Sequence, residues 1–211
     1  MTSTETGIQG RSRTRSRASL LVVVLLFTAP VLLAWLIFYV FPDWKPSSTT
    51  NHGELVMPVQ PLPAFRLDTL GGEEIDETWL RGKWTFVYIA AGECDETCVQ
   101  QIFKIRQVRL TQGKNIDRLQ RLMFWETSGV SAMRQAELQQ HFPGQTIVPV
   151  RASEAQELLD AFQVGGDSPF SADYVYLVDP LGNLMMFYQA GEEPRGMVKD
   201  LERLLKYSGL G

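Results

Sequence analysis

Apolar and charged positions divide the chain into two unequal parts. From residue 18 to residue 41 there is no charged side chain, and Leu, Val, Phe, Ile and Ala dominate. As a helix, these roughly 24 residues reach about 36 Å, and a bilayer core needs about 20 apolar residues. Pro30 lies inside the run, where membrane helices tolerate proline better than soluble ones. Trp35 and Tyr39, followed by Trp44, cluster toward its distal end as an interfacial aromatic belt does. The reading is one transmembrane helix over 18–41. A signal-peptide core spans about 7–15 residues and ends at a small-residue cleavage site. This run is longer, and its Leu33-Ala34-Trp35 and Phe41-Pro42-Asp43 surroundings are poor cleavage sites, so an uncleaved anchor is expected.

Beyond residue 41 the pattern changes. Residues 42–62 hold Pro42, Pro46, Pro58 and Pro61 around a Ser-Ser-Thr-Thr-Asn stretch, a composition expected of an extended linker. Residues 63–211 then alternate between strand-like and helix-like segments. A short strand at 65–67 precedes a Gly71-Gly72 hairpin turn. Residues 84–89, Trp-Thr-Phe-Val-Tyr-Ile, form a near-continuous apolar run, as in a buried central strand. Helices are expected at 99–110, at 131–141 with Pro143-Gly144 as its stop, and at 153–162 with Ser153 as its cap. Strands are expected at 122–125, 147–150, 174–178 and 184–188. A last amphipathic helix opens at Pro194 and runs to residue 207, with Met197, Val198, Leu201, Leu204 and Leu205 on one face. Strands alternating with helices imply an α/β sheet covered on both sides.

Charge orients the anchor. Arg11, Arg13, Arg15 and Arg17 precede it with only Glu5 for balance, so residues 1–17 are read as a cytoplasmic basic segment and the C-terminal domain as external. The whole chain carries −4. Residues 1–41 carry +3, which leaves about −7 on the exported part, a balance that argues against nucleic acid as a partner.

Two cysteines, Cys94 and Cys98, follow the apolar strand at a helix start. That is the sheet edge where α/β folds place ligands. A spacing of four puts both sulfurs on one face if the segment is helical, so the pair could form a disulfide or hold one soft ion such as Cu(I). A helix N-terminus favours the thiolate, and Glu93, Asp95 and Glu96 oppose it. The loop between the cysteines is too short for much chain-entropy stabilisation, which points to chemistry rather than a staple. A solvent-exposed disulfide or two idle thiols remain open.

Pro63-Ala64-Phe65-Arg66-Leu67-Asp68, the stretch from Leu80-Arg81-Gly82-Lys83-Trp84 to Tyr88, the cysteine pair, and Tyr176-Leu177-Val178-Asp179-Pro180-Leu181-Gly182 together resemble the SCO/SenC family. Those are membrane-anchored, thioredoxin-fold proteins that help assemble the copper centre of cytochrome c oxidase. The resemblance implies a thioredoxin-like sheet with flanking helices over 63–211, and Cys94 and Cys98 as redox pair and possible Cu(I) ligands. It also implies copper as a possible cofactor, oxidase subunits as partners, and a single-pass position in the inner membrane with a periplasmic domain. Three positions depart from the family pattern. Val99 replaces the proline after the second cysteine. Ser171 occupies the place of the third copper ligand, a histidine, so Ser171→His is expected to raise Cu(I) affinity. Asp173 stands where thioredoxin-like reductases carry a cis-proline.

Other soft or basic candidates are few. His52 falls in the linker, and His141 ends a helix, where the dipole alone favours it. Met185 and Met186 are thioether candidates in a strand, so one of them faces each side, with core filling as their simpler role. Trp79, Trp84 and Trp125 read as packing. Three functions stay open: an oxidase assembly factor handling copper or thiols, a cell-envelope thiol–disulfide oxidoreductase with Cys94 as the attacking thiol, and a docking protein without catalysis.

Overall fold

The computed structural model describes residues 11–40, 51–151 and 153–209. It divides into two compact units, residues 1–49 and 50–211. The first contains helix α1, Arg11–Val40, with Pro30 inside it. Within α1, Arg17–Val40 is long and apolar enough to cross a membrane. From residue 17 on, its side chains are exposed except for the half-buried Ile37, and Trp35 and Tyr39 pack with ring centroids 5.1 Å apart. Residues 1–10 of the basic segment, the last expected anchor residue Phe41, and linker residues 42–50 with Trp44 lie outside the described residues.

The second unit is a six-stranded mixed sheet. Its strands are β1 (Glu54–Pro61), β4 (Trp84–Ala91), β5 (Leu119–Glu126), β6 (Thr146–Val150), β7 (Val175–Val178) and β8 (Asn183–Tyr188), in the order β1-β8-β7-β4-β5-β6. A separate hairpin pairs β2 (Arg66–Asp68) with β3 (Glu74–Asp76), and Gly72 supplies its turn at φ +82. Strand β4 runs parallel to β5 and antiparallel to β7. Seven consecutive β4 residues are buried, because the sheet is covered on both faces.

On one face lie α2 (Glu96–Leu110) and α5 (Pro194–Tyr207). Trp84, Phe86 and Tyr88 of β4 meet Ile102, Ile105 and Val108 of α2, with Met197, Leu201 and Leu205 of α5. The α5 residues recur every four positions, and each buried Leu or Met contributes about 2 kcal/mol. On the other face, Val87 and Ile89 meet Phe65, Ile75, Leu158 and Phe162. Helix α3 (Ala132–His141) is capped by Ser131, whose side chain accepts from Arg134 N.

Two expectations are corrected. The segment 42–62 is not linker to its end, since β1 pairs antiparallel with β8 over Glu54–Pro61. Its prolines suit an edge strand, where an N–H can be spared. Between Leu55↔Met186 and Gln60↔Leu184 the register jumps, so residues 56–59 arch off the ladder. The helix expected at 153–162 is also shorter: α4 is Gln156–Asp160, and Ser153 does not cap it. Arg151 O accepts from Glu154 N and Ala155 N, which closes a turn ahead of the helix and moves its start.

Candidate functional site

The cysteines sit where β4 hands over to α2. Residues Gly92 to Asp95 make the connection, and Asp95 is the helix N-cap, its Oδ1 accepting from Cys98 N at 3.0 Å. Cys98 is therefore in the first helical turn, whereas Cys94 precedes the cap with φ +49. The pair does not share a helix face, because Cys94 is outside the helix; the left-handed turn brings the two together instead. They form a disulfide with Cα atoms 5.1 Å apart. Both belong to the first core cluster, Cys94 2% and Cys98 4% exposed.

Three carbonyls in succession hold this turn. Trp125 Nε1 donates to Gly92 O at 2.8 Å. Arg134 of α3 donates through Nε to Glu93 O at 3.3 Å and through Nη2 to Cys94 O at 3.0 Å, and it also pairs with Glu137 at 3.0 Å. By sequence pattern Trp125 is packing alone and Arg134 has no assigned role. A signal for it existed: a base in the first turn of a helix opposes the macrodipole, so its charge is used elsewhere.

A cleft of about 310 Å³ opens over the disulfide, lined by Tyr88, Ala90, Glu93, Cys94, Asp95, Cys98, Phe170 and Asp173 among others. Asp173 takes the left-handed conformation, φ +50, and its Oδ1 accepts from Tyr88 OH at 2.9 Å. Burial, then the charge and hydrogen bond of Asp173 and the charge of Asp95, push the Tyr88 phenol well above its ordinary value. The carboxylates of Glu93, Asp95 and Asp173 make this cleft acidic.

The residues considered as a third copper ligand lie elsewhere. Ser171 is exposed, its Oγ donates to Ser168 O at 3.3 Å, and its neighbour Phe170 lines the cleft instead. His141 Nδ1 meets Glu137 O at 2.9 Å on α3. His52 meets the buried Asp200 of α5 at 3.2 Å. Met185 and Met186 do not face opposite sides. The β7–β8 register jumps so that Met185 is a bulge residue, and both methionines reach the first core face. Neither lines the cleft. Among the described residues, no group of three His, Cys, Asp or Glu side chains is placed to hold a metal. As a disulfide the pair has no thiolate to offer a metal, and once reduced it supplies two soft donors beside hard carboxylates. The residues present therefore do not make a three-ligand Cu(I) site.

The family model described as transmembrane-like, thioredoxin-like, C-terminal domain matches residues 84–208. No curated protein matches the chain in sequence. Among solved structures, yeast Sco1 with copper bound is 20% identical, with a TM-score of 0.60 over 71% of this chain and 94% of that one. Bradyrhizobium japonicum ScoI with copper bound is 18% identical, with a TM-score of 0.56 over 68% and 98%. The thioredoxin domain of a thiol-disulfide oxidoreductase from Bacteroides vulgatus is 12% identical, with a TM-score of 0.53 over 71% and 99%. The second unit thus has the thioredoxin-like fold of the Sco proteins, and the chain belongs to the transmembrane-like, thioredoxin-like family.

Proposed function

We propose that this member of the transmembrane-like, thioredoxin-like family is a membrane-anchored, Sco-like assembly factor for respiratory cytochrome c oxidase, working by thiol–disulfide exchange through Cys94 and Cys98. The observation that carries the reading is a Cys94–Cys98 disulfide at the base of a cleft with no third soft ligand. Helix α1 anchors the chain in the inner membrane, with Arg11, Arg13, Arg15 and Arg17 on the cytoplasmic side and the sheet domain in the periplasm.

The exchange balances without an outside oxidant. A thiolate of a partner dithiol attacks one sulfur of the disulfide, forming a mixed disulfide and releasing the other sulfur as a thiolate. The partner's second thiol, deprotonated, displaces the first. The partner leaves as a disulfide and this protein as a dithiol, with two electrons moved and the protons released by the partner taken up by Cys94 and Cys98. The reverse sequence reduces a partner disulfide.

A second reading keeps copper. The yeast Sco1 and Bradyrhizobium japonicum ScoI structures compared above carry copper, and the reduced pair here would offer Cu(I) two thiolates. It lacks a third soft donor in the cleft, so exchange is the better-supported role.

Cys98→Ser, expressed in membranes, leaves one thiol to trap partners as mixed disulfides. An oxidase subunit in the trapped complexes, with less assembled oxidase in a Cys94→Ser/Cys98→Ser strain, is the expected result. Normal oxidase levels and no trapped subunit would overturn the proposal.

A further inference from the structure

On β5, Arg121 lies between Leu119 and Met123, on the strand side that faces the first core cluster. It is only 3% exposed. Its Nη2 donates to Pro143 O at 2.8 Å, but Nε and Nη1 are buried without a partner. Two more arginines approach from α2. Arg109 donates through Nε to Leu119 O at 2.8 Å, two residues before Arg121, and Arg106 is one turn earlier on the same helix. Both are half-buried, so the α2 side is the more open flank of the group. Among the described residues no carboxylate pairs with any of the three. Gln145, in the turn after Pro143, buries an Oε1 that has no donor.

This arrangement is costly unless something completes it. Burial first, then the charges of Arg109 and Arg106, bring Arg121 down to about 10, so it is still a cation at neutral pH. A buried charge without a counterion is normally paired or lost, and here three guanidinium groups converge in a domain that is otherwise acidic. Guanidinium forks match the oxygens of phosphate-type anions, donating two hydrogen bonds at a time. Arg121 is too recessed for a protein side chain of a partner, whereas a compact tetrahedral anion presents acceptors in several directions.

We propose that Arg106, Arg109 and Arg121 form a binding site for a small phosphate-class oxyanion, away from the cysteine cleft. The oxyanion supplies acceptors to the free N–H groups of Arg121 and neutralises the cluster.

The test uses the full chain in neutral maltoside micelles at pH 7. Inorganic phosphate should raise Tm saturably, by about 5 °C at saturation, beyond any effect of sodium chloride at matched ionic strength. Arg121→Met and, separately, Arg106→Gln/Arg109→Gln should abolish the rise. The double variant changes only half-buried positions and decides the matter if Arg121→Met fails to fold. Micelles doped with phosphatidylglycerol in phosphate-free buffer, compared with undoped micelles, distinguish a headgroup phosphate from the free ion. A rise from either source that both variants lose supports the site. A rise no larger than that from chloride, or one that survives in the double variant, would overturn it.

Discussion

Tyr88 donates its phenolic hydrogen to Asp173 Oδ1 at 2.9 Å, tying the middle of the central strand to the residue just ahead of β7. Asp173 holds a left-handed backbone, φ +50, at the position that the sequence resemblance matches to the proline of thioredoxin-like reductases. Asp173→Pro should therefore damage this protein rather than restore a reductase. Proline fixes φ near −65°, and the buried phenol would lose its acceptor, for a combined loss of about 3 kcal/mol. Asp173→Asn tolerates the backbone and keeps an acceptor, so it should cost less than about 1 kcal/mol. Urea denaturation of both variants checks this; equal stability would contradict it.

Copper affinity should respond at Phe170 and not at Ser171. Phe170 lines the cleft over the cysteines, while Ser171 is exposed and bonded back to Ser168. In the reduced protein, Phe170→His should raise Cu(I) affinity by an order of magnitude or more, and Ser171→His should change it by less than about twofold. Competition titration against a Cu(I) chelator reads both, and a Cys94→Ser background should erase the Phe170→His gain.

Arg134 keeps the Cys94 turn in shape from a different helix. Arg134→Met removes both of its donors to Glu93 O and Cys94 O. The expected loss is about 1–3 kcal/mol, in the range for charged hydrogen bonds, with faster amide exchange confined to residues 92–98. Hydrogen exchange by mass spectrometry would show it. Protection unchanged across that turn would mean the clamp has no part in holding it.

Alkaline unfolding should be steep. Burial, followed by nearby charges, raises the phenols of Tyr88, Tyr176 and Tyr188, and all three are almost fully buried. A raised folded value means their contribution is whole below about pH 10, the unfolded value. It is lost as pH rises above that toward the folded values. Each phenol then removes about 1.4 kcal/mol per pH unit. In a 295 nm titration, these three of the six tyrosines should ionise only together with loss of the circular dichroism signal. Smooth ionisation near pH 10 with the fold intact would refute it.

The apolar run of α1, the buried run of β4 over residues 84–89 and the apolar face of α5 were legible in the sequence. Each depends on a repeat that a strand or helix must satisfy by itself: period two, period 3.6, or no polar residue at all. The cysteine pair was legible for the same reason, as a local motif at a strand–helix junction. Ser153 misled because a side chain suited to capping does not say whether the preceding turn leaves the helix free to begin there.

What the tertiary structure decided is everything that depends on a neighbour distant in sequence. Pro61 looks like linker until β8 is available as a partner, about 120 residues away, and an edge position makes it harmless, while Pro58 falls in the arch that leaves the ladder. One bulge at Met185 changes which way two methionines face, because a single extra residue inverts strand alternation. Tyr88 meets Asp173, and Arg134 meets Cys94 O, across 85 and 40 residues. Residue type and local spacing named the two sulfurs; only packing of β4, α3 and the segment before β7 around them set an acidic, histidine-free cleft above the disulfide.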